Sequence, residues 1–345
     1  MHKRIRESNF ELLRIIAILM IVLYHLFYQS VYGTTQIPIY RALWLPLHIG
    51  VILFILISGF FKIKTTLSGL FNLLIKILII VVPLHFIAIY QQSNSIINAF
   101  SSLLLISHSP LWYVRVYICL YLIAPIINAF LRSATEKQRI IALIGLGYIS
   151  CIYGTISLDR FLVDSEGKNL INFILIYMLG DTLKYYKNKL STIPTTFLIA
   201  FYFILNIILT SLYLFFFNES AGKIIYRLGY SYNSPIVIFN AILLFLIFSR
   251  WKFQSRIVNH IAQSVFTVYL LQESPLILWS YIVPCLEKLM ATSHSPSFLL
   301  PHLIIFTFII FIISVCIDKL LNPVWWIGQN ISIKLEYKLN KLWNK

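Results

Sequence analysis

The sequence predicts an all-α fold: a polytopic membrane bundle of about ten transmembrane helices with both termini cytoplasmic. Three observations predict it. Of 345 residues, 59% are hydrophobic and only 12% charged, about half the charge of a typical soluble domain. The apolar residues come in blocks that approach the ~20 residues a helix needs to cross the hydrocarbon. The basic residues, which give a formal charge of +16, fall mostly in every second loop between those blocks, which reads as topology rather than nucleic-acid binding.

Ten blocks follow one another at 10–30, 44–62, 69–90, 112–131, 139–157, 170–186, 195–217, 235–249, 261–283 and 299–320. The first, preceded by "MHKRIRE", is too long for a signal-peptide core, and no small-residue cleavage site follows it, so it is expected to remain as an anchor. Lys62 and Lys64 follow the second. Residues 91–111, after the third, contain no basic residue and an apolar stretch too short to span, which predicts an interfacial or re-entrant segment. The fourth opens on Trp112 and Tyr113, as belt aromatics do, and is followed by Arg132, Lys137 and Arg139. Lys184, Lys187 and Lys189 close the sixth, and Arg250, Lys252 and Arg256 follow the eighth, which is short. The tail carries Lys334, Lys338, Lys341 and Lys345. This alternation is what an even number of spans with both ends inside requires. Residues 1–325 thus form the membrane domain. Residues 326–345 form a basic amphipathic tail on the cytoplasmic membrane face.

Pro83, Pro125 and Pro275 lie inside spans, where a proline kink is tolerated if helices pack or a cavity forms. Cys119, Cys151, Cys285 and Cys316 sit in or beside apolar blocks with no CxxC spacing. They read as small buried apolar side chains, with neither a disulfide framework nor a metal site implied.

Ionisable residues inside spans are costly and mark function by default. Arg14 and His25 are eleven positions apart in the first span. That is close to three helical turns, so they share a face with a rise of ~16 Å between them. Arg14 then lies near the cytoplasmic surface and His25 in the outer half. Glu11, one turn before Arg14, is placed to pair with it. Further along come Lys76, Arg115, Asp181 and the pair Gln272–Glu273. Asp181 reads as structural, with Lys184 three residues on as its partner. Glu273 is near mid-membrane, where so short a side chain needs a cationic partner or a proton. These residues describe a bundle with a polar interior reachable from both faces. They fit an enzyme that passes a group across the membrane, and equally a transporter or flippase of a lipid-linked sugar. No repeat between halves is visible, which favours the enzyme.

A resemblance separates the two. "FELLRIIAILMIVLYH" resembles the opening motif of acyltransferase family three, the bacterial integral-membrane O-acyltransferases: an acid, Arg three residues later, then His after ten intervening residues. Glu11, Arg14 and His25 match it. "IGVILFILISGFF" is similar to the family's second-span block through Gly50, Phe54, Ser58, Gly59 and Phe60. "LWYVRVYICLYLIAPIIN" and "SVFTVYLLQESPLI" resemble its fourth-span and late blocks. Where the family usually carries a pair of arginines in the third span, this chain has Lys76; where it often has His in the late block, this chain has Gln272. The family's optional extracellular esterase-like domain is not expected.

The resemblance implies an O-acetyltransferase of the bacterial cytoplasmic membrane, with acetyl-CoA as donor, no tightly bound cofactor, and a glycan or lipid-linked glycan as acceptor. It implies His25 and Glu273 as catalytic residues. The donor residues would be Arg14, Glu11, Lys76, Ser58 and Gly59, and the acceptor residues Trp112, Tyr113, Arg115 and Gln272. Arginine suits phosphates, and a neutral imidazole suits taking a proton from a sugar hydroxyl. Whether His25 acts as a base or is itself acylated is open in the sequence.

Overall fold

The computed structural model describes residues 6–32, 38–90, 111–154, 166–274, 277, 281–292 and 295–343. Among these every regular element is helical. The apolar stretch of 91–110 and Pro275 lie outside the described residues. Seven stretches are long and apolar enough to cross a membrane. Four are helix α1 (Ser8–Tyr32), α2 (Pro38–Trp44) running through a 3₁₀ turn into α3 (Ile49–Phe61), α4 (Leu67–Tyr90) and α5 (Trp112–Ser133); the other three are Thr195–Phe215, Ser220–Ser249 and Phe298–Leu320.

The remaining expected spans form shorter or broken helices, and each break has a cause. Span 139–157 begins as α6 (Glu136–Gly147), opened by a Thr135–Gln138 capping box, and ends in a π-helical turn, Tyr148–Tyr153. Span 170–186 is the 16-residue α7 (Leu170–Tyr185), started by the Asn169 cap. After α8 (Lys187–Leu190) come α9 (Thr195–Phe215), α10 (Ser220–Tyr230) and α11 (Pro235–Ser249). α10 extends the short eighth span, and Pro235 restarts the helix at its first turn. Span 261–283 is divided into α12 (Arg256–Ile261), a 3₁₀ turn, α13 (Val265–Gln272) and α14 (Val283–Thr292). α13 stops three residues short of Pro275, near which α geometry is disfavoured. α15 (Pro296–Leu320) and α16 (Asn322–Trp343) complete the chain.

α3 is the axial helix: Ile52, Leu53, Ile55, Leu56 and Ile57 are fully inaccessible. It packs chiefly on α7 and α1. Its crossing with α7 is made by glycine. A Cβ on Gly59 would overlap the Tyr177 carbonyl, and one on Gly180 would overlap the Leu56 carbonyl. The outer helices present Phe86, Ile126, Phe203, Ile207 and Ile312 outward, apolar side chains suited to lipid. Three of the four cysteines, Cys119, Cys285 and Cys316, are on this exposed surface and only Cys151 is partly buried. They were expected to be buried. An apolar side chain in a span is equally at home against lipid, so span position alone does not place it inside.

Contacts join the ends of α1, α3, α4, α5, α7 and α15 that lie beside the basic loops into one pole, the basic end: Phe10 packs on Phe60 and Phe61, Thr66 bonds Tyr121, Lys62 meets Asp181, Ser8 bonds Asn259 of α12, and Lys319 donates to the His260 carbonyl of the same helix. Asp181 anchors it. Its carboxylate meets Lys62 Nζ at 3.1 Å and Arg139 Nη1 at 2.8 Å, and Arg139 also donates to the Leu131 carbonyl. The expected partner, Lys184, instead sits over the Phe60 ring, 5.6 Å from its centroid. Lys184 lies on the same helix, whereas α3 and α6 bring cations to Asp181 from outside. Asp181→Ala leaves two cations facing a largely buried gap. Such a loss costs on the order of 3 kcal/mol and is expected as a lower unfolding temperature in detergent. An unchanged melting curve would remove the anchor role. Deeper in the bundle, Asn206 and Asn240 exchange amide hydrogen bonds of 3.0 and 2.8 Å and tie α9 to α11.

Candidate active site

One face of α1 organises the site. Arg14, Ile18 and Ile21 succeed one another at helical spacing and wall a cavity of about 390 Å³. α3 adds Val51, Phe54 and Ser58, and α4 adds Asn72, Leu73 and Lys76. α5 adds a ladder of Tyr113, Tyr117 and Tyr121, and the broken α12–α13 adds Gln263, Phe266 and Tyr269. The cavity floor, toward the basic end, is cationic; the walls above it are apolar and aromatic.

Both cations are held from behind. Glu11 Oε1 accepts from Arg14 Nη1 at 3.0 Å and lies 3.8 Å from Arg6. Glu11 is buried and is not part of the wall, so it orients Arg14. Lys76 Nζ lies 5.1 Å above the Trp325 ring, within cation–π range. Trp325 Nε1 donates to Asp318 Oδ1 at 3.1 Å. Asp318 also accepts from Ser264 at 2.7 Å and Thr267 at 2.5 Å. These bonds fasten the 3₁₀ break between α12 and α13 to α15. The tail helix α16 packs on α4, with Gly328 against Ile75. Arg14 and Lys76 therefore face a cavity in which an anion finds two fixed cations.

One turn of α1 beyond Ile21 is His25, above the cavity wall rather than in it. Its Nδ1 lies 3.1 Å from Glu273 Oε1 and 3.3 Å from Gln272 Oε1. Gln272 Nε2 in turn donates to Glu273 Oε1 at 3.1 Å. Both neighbours of Nδ1 offer oxygen, so the network assigns the proton to Nδ1 and leaves the Nε2 lone pair available. Glu273 holds the ring and would stabilise it when charged. Ile21, four residues before His25, and Tyr269, three before Gln272, are the cavity residues nearest in sequence to this cluster, and Tyr269 meets Tyr113 edge to face at 5.5 Å between centroids.

The sequence candidates thus separate into groups. Arg14, Lys76, Ser58 and Tyr113 wall the cavity. The Ser58 hydroxyl donates to its own helix at the Phe54 carbonyl, 2.8 Å. His25, Gln272 and Glu273 form one hydrogen-bonded cluster. Gly59 lies in the α3–α7 crossing, outside the wall. Trp112 packs on Tyr232 and Phe173, with Lys168 above its ring. Arg115 is also outside the wall, its Nε buried without a hydrogen-bond partner among the described residues.

Several site residues were missed in the sequence. Tyr117 and Tyr121 follow Tyr113 at four-residue steps, a legible stripe once the cavity is known. Asn72 precedes Lys76 by the same step. His48, two residues before Gly50, is buried behind Tyr24 and Tyr230, at 4.3 and 4.5 Å between ring centroids. Neither of its ring nitrogens has a partner among the described residues.

With this geometry in place, comparison with known proteins gives one positive result. A family described as an acyltransferase domain matches residues 7–319. No curated protein and no solved structure matches the chain.

Proposed function

Because the chain belongs to that acyltransferase family, acyltransferase family 3, and is a multi-helix membrane protein, we propose a specific reaction for it. It moves an acetyl group from cytoplasmic acetyl-CoA to a hydroxyl of a cell-surface polysaccharide or its lipid-linked precursor, in the cytoplasmic membrane of a bacterium. Ten crossings with both termini inside fit this reading. They put the basic end, with Arg14 and Lys76, on the side that holds acetyl-CoA, and α16 along the inner lipid face as an amphipathic anchor.

The observation that carries the reading is the order of groups along α1. Cations for a phosphorylated donor stand at the cavity floor, and a histidine oriented by a carboxylate stands one turn above the wall. The acyl thioester of a donor held by Arg14 and Lys76 extends past Ile18 and Ile21 toward His25. The imidazole Nε2 takes the proton of the acceptor hydroxyl as its oxygen adds to the thioester carbonyl. When the tetrahedral intermediate collapses, the carbon–sulfur bond breaks and the imidazolium proton passes to the departing thiolate. Glu273 stays ionised beside the charged ring throughout.

The test compares surface glycans from cells with and without the gene, by proton resonance for base-labile O-acetyl signals. O-acetyl signals present with the gene and absent without it support the reading; identical spectra with a changed amount of exported glycan would favour a transporter instead. The donor half has its own expected result. Arg14→Gln and Lys76→Gln each remove a charge-assisted contact of about 1.5–3 kcal/mol. Each should raise the donor KM by roughly tenfold or more with a smaller change in kcat, measured with purified protein and labelled acetyl-CoA. Unchanged KM in both variants would place the donor elsewhere.

A further inference from the structure

A second cavity of about 300 Å³ lies at the basic end between the α3–α4 connection and the end of α5. Lys62, Lys64 and Thr65 line it from the connection, and Pro125, Asn128 and Arg132 from α5. Among the described residues no acidic side chain is in its wall. Lys62 shares Asp181 with Arg139, so two cations meet one carboxylate there. Lys64 and Arg132 are exposed, with no carboxylate at ion-pair distance among the described residues. The wall therefore carries a clear excess of positive charge.

The connection is built rather than loose. Lys62 ends α3 at a φ of 60°, a conformation that a non-glycine residue keeps only where its surroundings hold it. The Ile63 N–H donates to the Tyr177 hydroxyl at 2.9 Å, which donates to Asn128 Oδ1 at 2.9 Å. Asn128 Nδ2 donates back to the Ile63 carbonyl at 3.1 Å. The Thr65 hydroxyl donates to the Tyr121 carbonyl at 3.2 Å, and the Thr66 N–H to the Tyr121 hydroxyl at 3.0 Å. Cations that served topology alone would need no such fixed backbone. Fixed cations around a cavity are what phosphate recognition needs.

The two cavities share one helix face. Tyr113, Tyr117 and Tyr121 wall the first, and Pro125, Asn128 and Arg132 wall the second. These positions are spaced four, four, four, three and four residues apart, a single stripe of α5. Tyr121, bonded to Thr66, stands between the cavities. The donor proposed above carries a diphosphate and a further phosphate on its nucleotide. Among the described residues the first cavity offers two cations, Arg14 and Lys76, and Arg14 is already paired with Glu11.

Resting on that reading of the function, we infer that the second cavity binds the nucleotide phosphates of the acyl donor, with Lys64 and Arg132 as phosphate ligands and Lys62 fixing the loop. The ligand chemistry is a phosphate group held by fixed cations; an anionic lipid headgroup is the other source of it.

The experiment measures binding of coenzyme A, and of pantetheine, which lacks the phosphates, by titration calorimetry. It uses the full-length protein in nanodiscs made with or without phosphatidylglycerol. The variant is Lys64→Gln with Arg132→Gln, both on exposed side chains, with an unchanged melting temperature as the folding control and Lys64→Arg as the charge-keeping control. The expected result is at least a tenfold weaker Kd for coenzyme A, an unchanged Kd for pantetheine, recovery in Lys64→Arg, and the same pattern in both lipids. Equal affinity of wild type and variant for coenzyme A in both lipids would overturn the inference. A difference confined to nanodiscs with phosphatidylglycerol would overturn it in favour of a headgroup site. Because calorimetry needs no turnover, coenzyme A bound in this pattern with no acetyl transfer to glycan would defeat the proposed reaction and leave the phosphate site standing.

Discussion

On the proposed reaction, His25→Ala is expected to lower acyl transfer by about 10²–10⁴-fold, the range a positioned general base contributes, while the protein still inserts and still binds the proposed donor. The expectation is sharp because His25 is part of neither the hydrophobic core nor the wall of the cavity proposed for the donor. Its ring is about one-third exposed and its recorded polar contacts are to Gln272 and Glu273. Removing it costs little packing. Transfer should therefore fail in kcat, with the KM for acetyl-CoA nearly unchanged, which separates it from the Arg14 and Lys76 variants. Glu273→Gln should give a smaller loss of kcat in the same direction. An amide can hold the ring by hydrogen bonding but cannot balance the charge it gains in the transition state. Turnover of a purified His25→Ala protein at the wild-type rate would end the assignment of the base, whatever the fate of the donor site. A covalent acyl-histidine trapped in single-turnover experiments would replace the base role with a nucleophilic one.

The sequence exposed what depends on local spacing and hid what depends on contacts between distant segments. Arg14 and His25 share a helix face because eleven residues make nearly three turns, and no tertiary knowledge is needed to see it. Glu273 was legible as a carboxylate in need of a partner. That the partner is His25, 248 positions away, was not, since nothing in either segment names the other. Asp181 makes the same point from the opposite side. The nearest cation in sequence was expected, and two cations from other helices hold it. The helix breaks were hidden for a related reason. The turn at Ala262–Ser264 is fastened by Ser264 and Thr267 to Asp318, about fifty residues on, and a hydropathy window reads straight through it. The tyrosine ladder of α5 had the right period, but aromatic stripes at helical spacing are commonplace in membrane helices. Only the cavity gives this one meaning.

Gly59→Val is the substitution expected to damage the fold most, and it bears on what the second-span motif is for. By resemblance, Ser58 and Gly59 were assigned together to the donor. In the structure they face different ways: Ser58 toward the cavity, Gly59 into the backbone of α7. A Cβ on Gly59 would collide with the Tyr177 carbonyl, and backbone cannot rotate aside as a side chain does. The helices must separate, at a cost of roughly 3 kcal/mol or more. Gly180→Val attacks the same crossing from the other side, against the Leu56 carbonyl, and should behave alike. Ser58→Ala should leave folding intact, because its hydroxyl donates to its own helix at the Phe54 carbonyl and its side chain faces the cavity rather than another backbone. The damage should also travel. Tyr177 supplies the hydroxyl that holds Ile63 and Asn128, so pushing α7 away from α3 loosens the Lys62–Thr66 connection at the basic end. Melting temperature and coenzyme A affinity should therefore fall together in Gly59→Val and Gly180→Val, and neither should fall through the melting temperature in Ser58→Ala. A Gly59→Val protein that melts like wild type but binds donor poorly would return the glycine to the donor site and remove its role in the crossing.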